Sequence, residues 1–87
     1  MKITKRIRDI AEKNKHISTE EILQDIADTE AEIVTMEAEA DHLEKTPHGT
    51  ADAKINHMKA SARRTGIKER RVFIADLKSI LAYRKKQ

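Results

Sequence analysis

The chain predicts an all-α protein: an antiparallel, coiled-coil-like helical hairpin with an N-terminal helix, closing as a three-helix bundle or as an intertwined helical dimer. Two long segments carry apolar residues at alternating four- and three-residue spacing, and a single Pro-Gly breaker separates them. Charge is sorted by segment. Between Ser18 and Lys45 stand Glu20, Glu21, Asp25, Asp28, Glu30, Glu32, Glu37, Glu39, Asp41 and Glu44 against the one cation Lys45. From Ala51 onward bases dominate. Opposite signs on two consecutive helices favour an antiparallel fold-back and disfavour parallel self-pairing of the acidic helix.

The whole chain, 1–87, reads as one domain, of a size at which burial barely exceeds chain entropy. Its first element is a basic helix over residues 1–15, with Ile3, Ile7 and Ile10 on one side and Ala11 beside them. The acidic helix spans 18–45. Ser18 can cap the amide of Glu21, and the Glu21 carboxylate can reach back to the cap amide. Its seam is Ile22, Ile26, Thr29, Ile33, Met36, Ala40 and Leu43.

Residues 46–49, Thr-Pro-His-Gly, make the turn, because proline disfavours helix in the residue before it and glycine permits a tight reversal. A basic helix over 50–86 follows, with Ala51, Ile55, Met58, Ala62 and Thr65 as its expected seam. At Gly66, which costs roughly 1 kcal/mol relative to alanine in a helix, the reading divides between a break and a tolerated close approach. Beyond it the apolar residues restart in another phase. Phe73, Ile74, Leu77, Ile80 and Leu81 cover roughly 120° of a helical wheel, more than one partner helix needs.

A fold-back centred on 47–49 sets Leu43 near Ile55, Met36 near Ala60 and Ile22 near Ile74. The C-terminal helix then overhangs the acidic one, exposing Leu77, Ile80, Leu81 and Tyr83. Phe73, Leu77, Ile80 and Leu81 are accordingly the expected oligomer interface of a homodimer, unless the N-terminal helix covers them.

Composition excludes much chemistry. Without cysteine there is neither a disulfide nor a thiolate metal site, and a reducing, cytoplasmic setting is the default. His16, His42, His48 and His57 form no helical ligand pair, so no metal and no cofactor are expected. The carboxylates share one exposed face and lack the contrasting environments of an acid and base pair. Ser18, Ser61 and Ser79 have no relay, and two glycines make no phosphate-cradling loop. No apolar run spans a membrane, and the N-terminal stripe is a weak surface anchor. The chain reads as non-enzymatic, with no small-molecule substrate.

The expected function is therefore protein–protein interaction through a charged helical face, as a small accessory or inhibitor protein. The expected contact residues are Glu30, Glu37, Asp41 and Glu44, which lie off the acidic seam and can mimic phosphates. An alternative is nucleic-acid binding, phosphates being contacted by Arg63, Arg64, Lys68, Arg70, Arg71 and Lys78. Within that set, Arg64, Lys68, Arg71 and Lys78 form an outward stripe on the expected phase.

Overall fold

The computed structural model describes residues 2–87 and contains three helices: α1 (Lys5–Lys13), α2 (Thr19–Glu44) and α3 (Ala53–Lys85). The expected helix over 1–15 is shorter at both ends, and Met1 lies outside the described residues. Thr4 caps α1 by accepting from the Ile7 amide at 3.2 Å, and Asn14 ends it by donating its side-chain amide to the Ile10 carbonyl. Ser18 caps α2 as expected, its Oγ accepting from the Glu21 amide at 3.1 Å. The reciprocal bond to the Glu21 carboxylate is not made.

The reversal is longer than residues 46–49. Gly49 takes φ of +87°, the Thr50 hydroxyl donates to the Pro47 carbonyl, and Thr50 is thereby used in the turn. So α3 starts at Ala53 rather than Thr50. The loop climbs beside the first turn of α3, where the Asn56 side-chain amide donates to Thr46 Oγ1 and His57 Nε2 sits 3.0 Å from the Thr46 carbonyl oxygen. His48 and His57 meet edge to face.

This climb slides the register of the hairpin. Met36 abuts Gly66 instead of Ala60, Glu39 meets Arg63, Glu32 meets Arg70, and Thr19 meets Arg84 at the far end. With Thr19 level with Arg84, the overhang of α3 is at its loop end and not at its C-terminus. It carries Ile55, not Leu77 and Ile80.

The buried residues of α2 are Ile22, Ile26, Thr29, Ile33 and Ala40, with Met36 and Leu43 half-buried, as the four-three spacing predicts. On α3 the seam is instead Ala53, Ala60, Ile67 and Ile74, at constant seven-residue intervals. The seam does not change phase at Gly66, and α3 runs through it unbroken. Small residues decide the difference: Ala53, Ala60 and the fully buried Ala40 let the helices approach closely, while larger Ile55 and Met58 are turned away.

The large side chains of the core collect at the other end, where Ile22, Ile26, Ile33, Ile67, Ile74, Leu77 and Ile80 meet Ala11 of α1. Here α1 lies on α3 and runs in the same direction, Arg6 reaching Asp76 and Glu12 reaching Tyr83. Arg84 fastens the α1–α2 connection by donating to the carbonyls of Asn14 and Ile17 and to Thr19 Oγ1. The result is a rod of 57 × 24 × 19 Å.

Candidate functional site

Three features of the surface are built strongly enough to be weighed as sites: the ion pairs flanking the hairpin seam, a crevice under α1, and the outer face of α3.

Arg63, Arg64, Arg70 and Arg71 stand on the two flanks of the α3 seam, one step to either side of Ala60 and Ile67. On one flank Arg63 donates to Glu39 at 2.8 Å and Arg70 to Glu32 at 2.9 Å. On the other Arg71 donates to Glu37 at 2.6 Å, and Arg64 bridges Asp41 and Glu44. Arg64 and Arg71 therefore do not belong to an outward stripe, which the sequence spacing placed opposite the core; the corrected phase of α3 turns them toward α2. The Glu44 carboxyl sits below its ordinary value, held there first by the hydrogen bond from Arg64. Each of these pairs is exposed and screened by water, so it contributes little alone, yet together they favour one register.

This pairing draws on both candidate charged surfaces. Of the acidic set, Glu37, Asp41 and Glu44 are engaged within the chain, and Glu30 alone has no ion-pair partner among the described residues. Of the basic set, Lys68 and Lys78 alone are without one. An external ligand that engages the whole of either set has to displace existing partners.

The expected oligomer interface is divided by the fold. Leu77 and Ile80 are buried within the chain itself, and Leu81 is half-buried against the same core. Phe73 remains 47% exposed at the edge of a crevice of about 230 Å³ between α1, α2 and α3. Ile10, Ile17 and Ile22 form its apolar wall, and Asp25 and Asp76 stand on its lining. Asp76 is already taken by a two-bond pair with Arg6. Tyr83, nearby, has a phenol raised above its ordinary value by desolvation and by the hydrogen bond it donates to Glu12.

The outer face of α3 is different in kind. Ile55, Met58, Ala62 and Thr65 keep the four-three spacing read from the sequence, but with Val72, seven residues beyond Thr65, they lie on the side of α3 opposite Ala53, Ala60 and Ile67. Ile55, Met58 and Val72 are 56%, 64% and 58% exposed. Among the described residues no other element covers them, because α1 sits farther along, beside Phe73 to Arg84. The sequence held the signal for this stripe; what misassigned it was the assumption that the larger apolar residues mark the core seam.

Lysines flank the stripe. On a helical wheel Lys54 and Lys68 fall to one side and Lys59 to the other, and none forms an ion pair among the described residues. Glu69 is the one acid within it. Among the described residues no group of three His, Cys, Asp or Glu is placed to hold a metal, and no helix is long and apolar enough to cross a membrane.

Comparison with protein-family models, curated proteins and solved structures gives no match.

Proposed function

We propose that this chain is a non-enzymatic helical module for protein–protein interaction, and that its working surface is the outer face of α3. One observation carries the reading: an apolar stripe, Ile55, Met58, Ala62, Thr65 and Val72, faces away from the hairpin and is covered by no other element among the described residues. Scattered exposed apolar residues need no explanation, but a stripe at helical spacing, interrupted at Glu69, marks a contact surface. The acidic face of α2 is the weaker choice, since Glu37, Asp41 and Glu44 are held by Arg71 and Arg64. A cysteine-free chain of this kind suits a reducing compartment, and the cytoplasm is the setting we assign to it.

The test compares three proteins in pull-downs from the cells that make the chain: wild type, the double variant Ile55→Ser/Met58→Ser, and the charge reversal Glu30→Lys/Glu37→Lys. The first variant should lose the partner that wild type retains, with thermal unfolding unchanged within about 0.5 kcal/mol, as befits exposed positions. Loss only in the second variant would move the site to α2. A salt-sensitive mobility shift with nucleic acid, abolished by Lys68→Glu/Lys78→Glu and indifferent to the α3 stripe, would replace the reading altogether.

A further inference from the structure

We infer that the partner seated on α3 is an acidic amphipathic helix of another protein, an inference that rests on the outer face of α3 being the working surface. From Ile55 to Val72 the stripe runs about 25 Å, so it takes a helix of about five turns. Ala62 and Thr65 stand at its middle, between Ile55 and Met58 at one end and Val72 at the other. Small side chains there make a shallow waist where a second helix can approach closely. A partner with Leu or Ile at four-three spacing fills the two ends and the waist.

Charge selects the flanks of that partner. Lys54, Lys59 and Lys68 border the stripe on both sides and have no ion-pair partner in the described chain, in contrast to Arg63, Arg64, Arg70 and Arg71 close by. Carboxylates on either side of an incoming apolar face meet these lysines as it docks. Such complementarity acts chiefly on encounter and on the exclusion of wrong partners.

The same lysines argue against a second copy packed through this face. An antiparallel pair sets the flank that carries Lys54 and Lys68 against the same flank of the other copy. A parallel pair sets the flank of Lys54 and Lys68 against the flank of Lys59 in the other copy. Both place like charges along the contact. A lipid surface suits the face less well than a helix does: the waist offers Ala62 and Thr65 where insertion needs bulk, and the stripe has no Trp.

The experiment uses the full chain and two synthetic helices of about five turns. They share leucines at four-three spacing, and their flanks are all glutamate in one and all lysine in the other. Fluorescence anisotropy should show the glutamate peptide binding wild type at least about tenfold more tightly than the lysine peptide, a difference of about 1.4 kcal/mol. The variant Lys54→Glu/Lys59→Glu/Lys68→Glu should invert that preference, and Ile55→Ser/Met58→Ser should lose both peptides.

Several outcomes overturn the acidic partner while leaving the α3 face as a contact surface. One is equal, Met58-dependent binding of the two peptides. Another is Met58-dependent self-association of wild type in sedimentation. A third is Met58-dependent binding to phosphatidylcholine–phosphatidylglycerol vesicles without preference between the peptides. A monomer that binds neither peptide nor vesicle overturns both the partner and the face.

Discussion

Gly66→Ala tests whether the packing of the hairpin is elastic where the Met36 side chain of α2 lies against Gly66 of α3. Gly66 lies within α3, where alanine is favoured over glycine by about 1 kcal/mol. A β-carbon built there falls 2.7 Å from Met36 Cε and 3.3 Å from Arg70 Nη1. The first distance demands movement. Both neighbours are the far ends of flexible side chains, and Met36 is half-buried beside the core rather than enclosed in it. Displacing its terminal methyl costs at most about 0.5 to 1.5 kcal/mol if the new torsion is strained, and close to nothing if another staggered well is open. Since methionine adapts readily to altered packing, the expected net is a stabilisation of about 0.4 to 1 kcal/mol, with the melting temperature rising by roughly 2 to 8 °C. Urea denaturation followed by circular dichroism measures it. Ala62→Gly, at an exposed position of the same helix, gives the propensity difference alone, and Met36→Leu removes the methyl that collides. In the Met36→Leu background Gly66→Ala should recover the whole of the difference seen at Ala62. A destabilisation above about 0.5 kcal/mol that Met36→Leu fails to relieve would refute this reasoning, because the obstruction would then be the separation of the helices and not one side-chain end.

The division of the apolar C-terminal patch gives a second expectation: Leu77→Ala should cost about 2 to 5 kcal/mol, and Phe73→Ala less than about half as much, because half of its ring already faces water. Equal losses in urea titrations would mean that Phe73 is covered in solution. Arg84→Met keeps the apolar stem but removes three donated bonds, two of them to backbone carbonyls, and should cost about 1.5 to 3 kcal/mol; an unchanged urea midpoint would show that the α1–α2 connection is held by packing alone. The Glu44 carboxyl is depressed by Arg64, so its contribution is present above the ordinary carboxyl value of about 4.3 and is lost as pH falls through the lower folded value. The stability difference between wild type and Arg64→Ala should therefore narrow in acid. A difference that stays constant down to about pH 3 would detach the two residues.

The sequence was most legible where apolar size and apolar position coincide. On α2 the spacing of Ile22, Ile26, Ile33 and Ala40 is the seam observed, because that helix has few large apolar residues elsewhere. On α3 two stripes compete, one of Ala53, Ala60, Ile67 and Ile74 and one of Ile55, Met58, Ala62, Thr65 and Val72. Side-chain size points to the second over the first half of the helix, whereas close packing against Ala40 and Met36 selects the first. The register followed the same error. Counting from Pro47 and Gly49 assumes a tight turn, but Thr50 bonds back to Pro47 and the loop runs on to Asp52. Once both are corrected, the arginines thought to face outward turn to α2, and Leu77 and Ile80 pass from the surface to the core. The apolar surplus of α3 was readable from composition; its location was not, because it depends on a phase that only the partner helix fixes.

The identity of the cations completes that distinction between structural and available charge. Arg6, Arg63, Arg64, Arg70, Arg71 and Arg84 all bond to other segments of the chain, whereas Lys54, Lys59, Lys68 and Lys78 pair with nothing in the described residues. A planar guanidinium holds a carboxylate or several carbonyls at fixed angles, so it suits the fastening of one helix to the next. A lysine is a hydrated point charge on a flexible stem, and it adapts to whichever anion arrives. The arginines thus fasten segment to segment, while Lys54, Lys59 and Lys68 stand free, among the described residues, beside the uncovered apolar stripe. Exchanging them separates the roles: Arg70→Lys should loosen the pair with Glu32 without touching the outer face, while Lys59→Arg should leave the fold unchanged and retain the charge that a docking acidic helix meets. It is Lys54, Lys59 and Lys68, and not the ion-paired arginines, whose reversal should change what the protein binds.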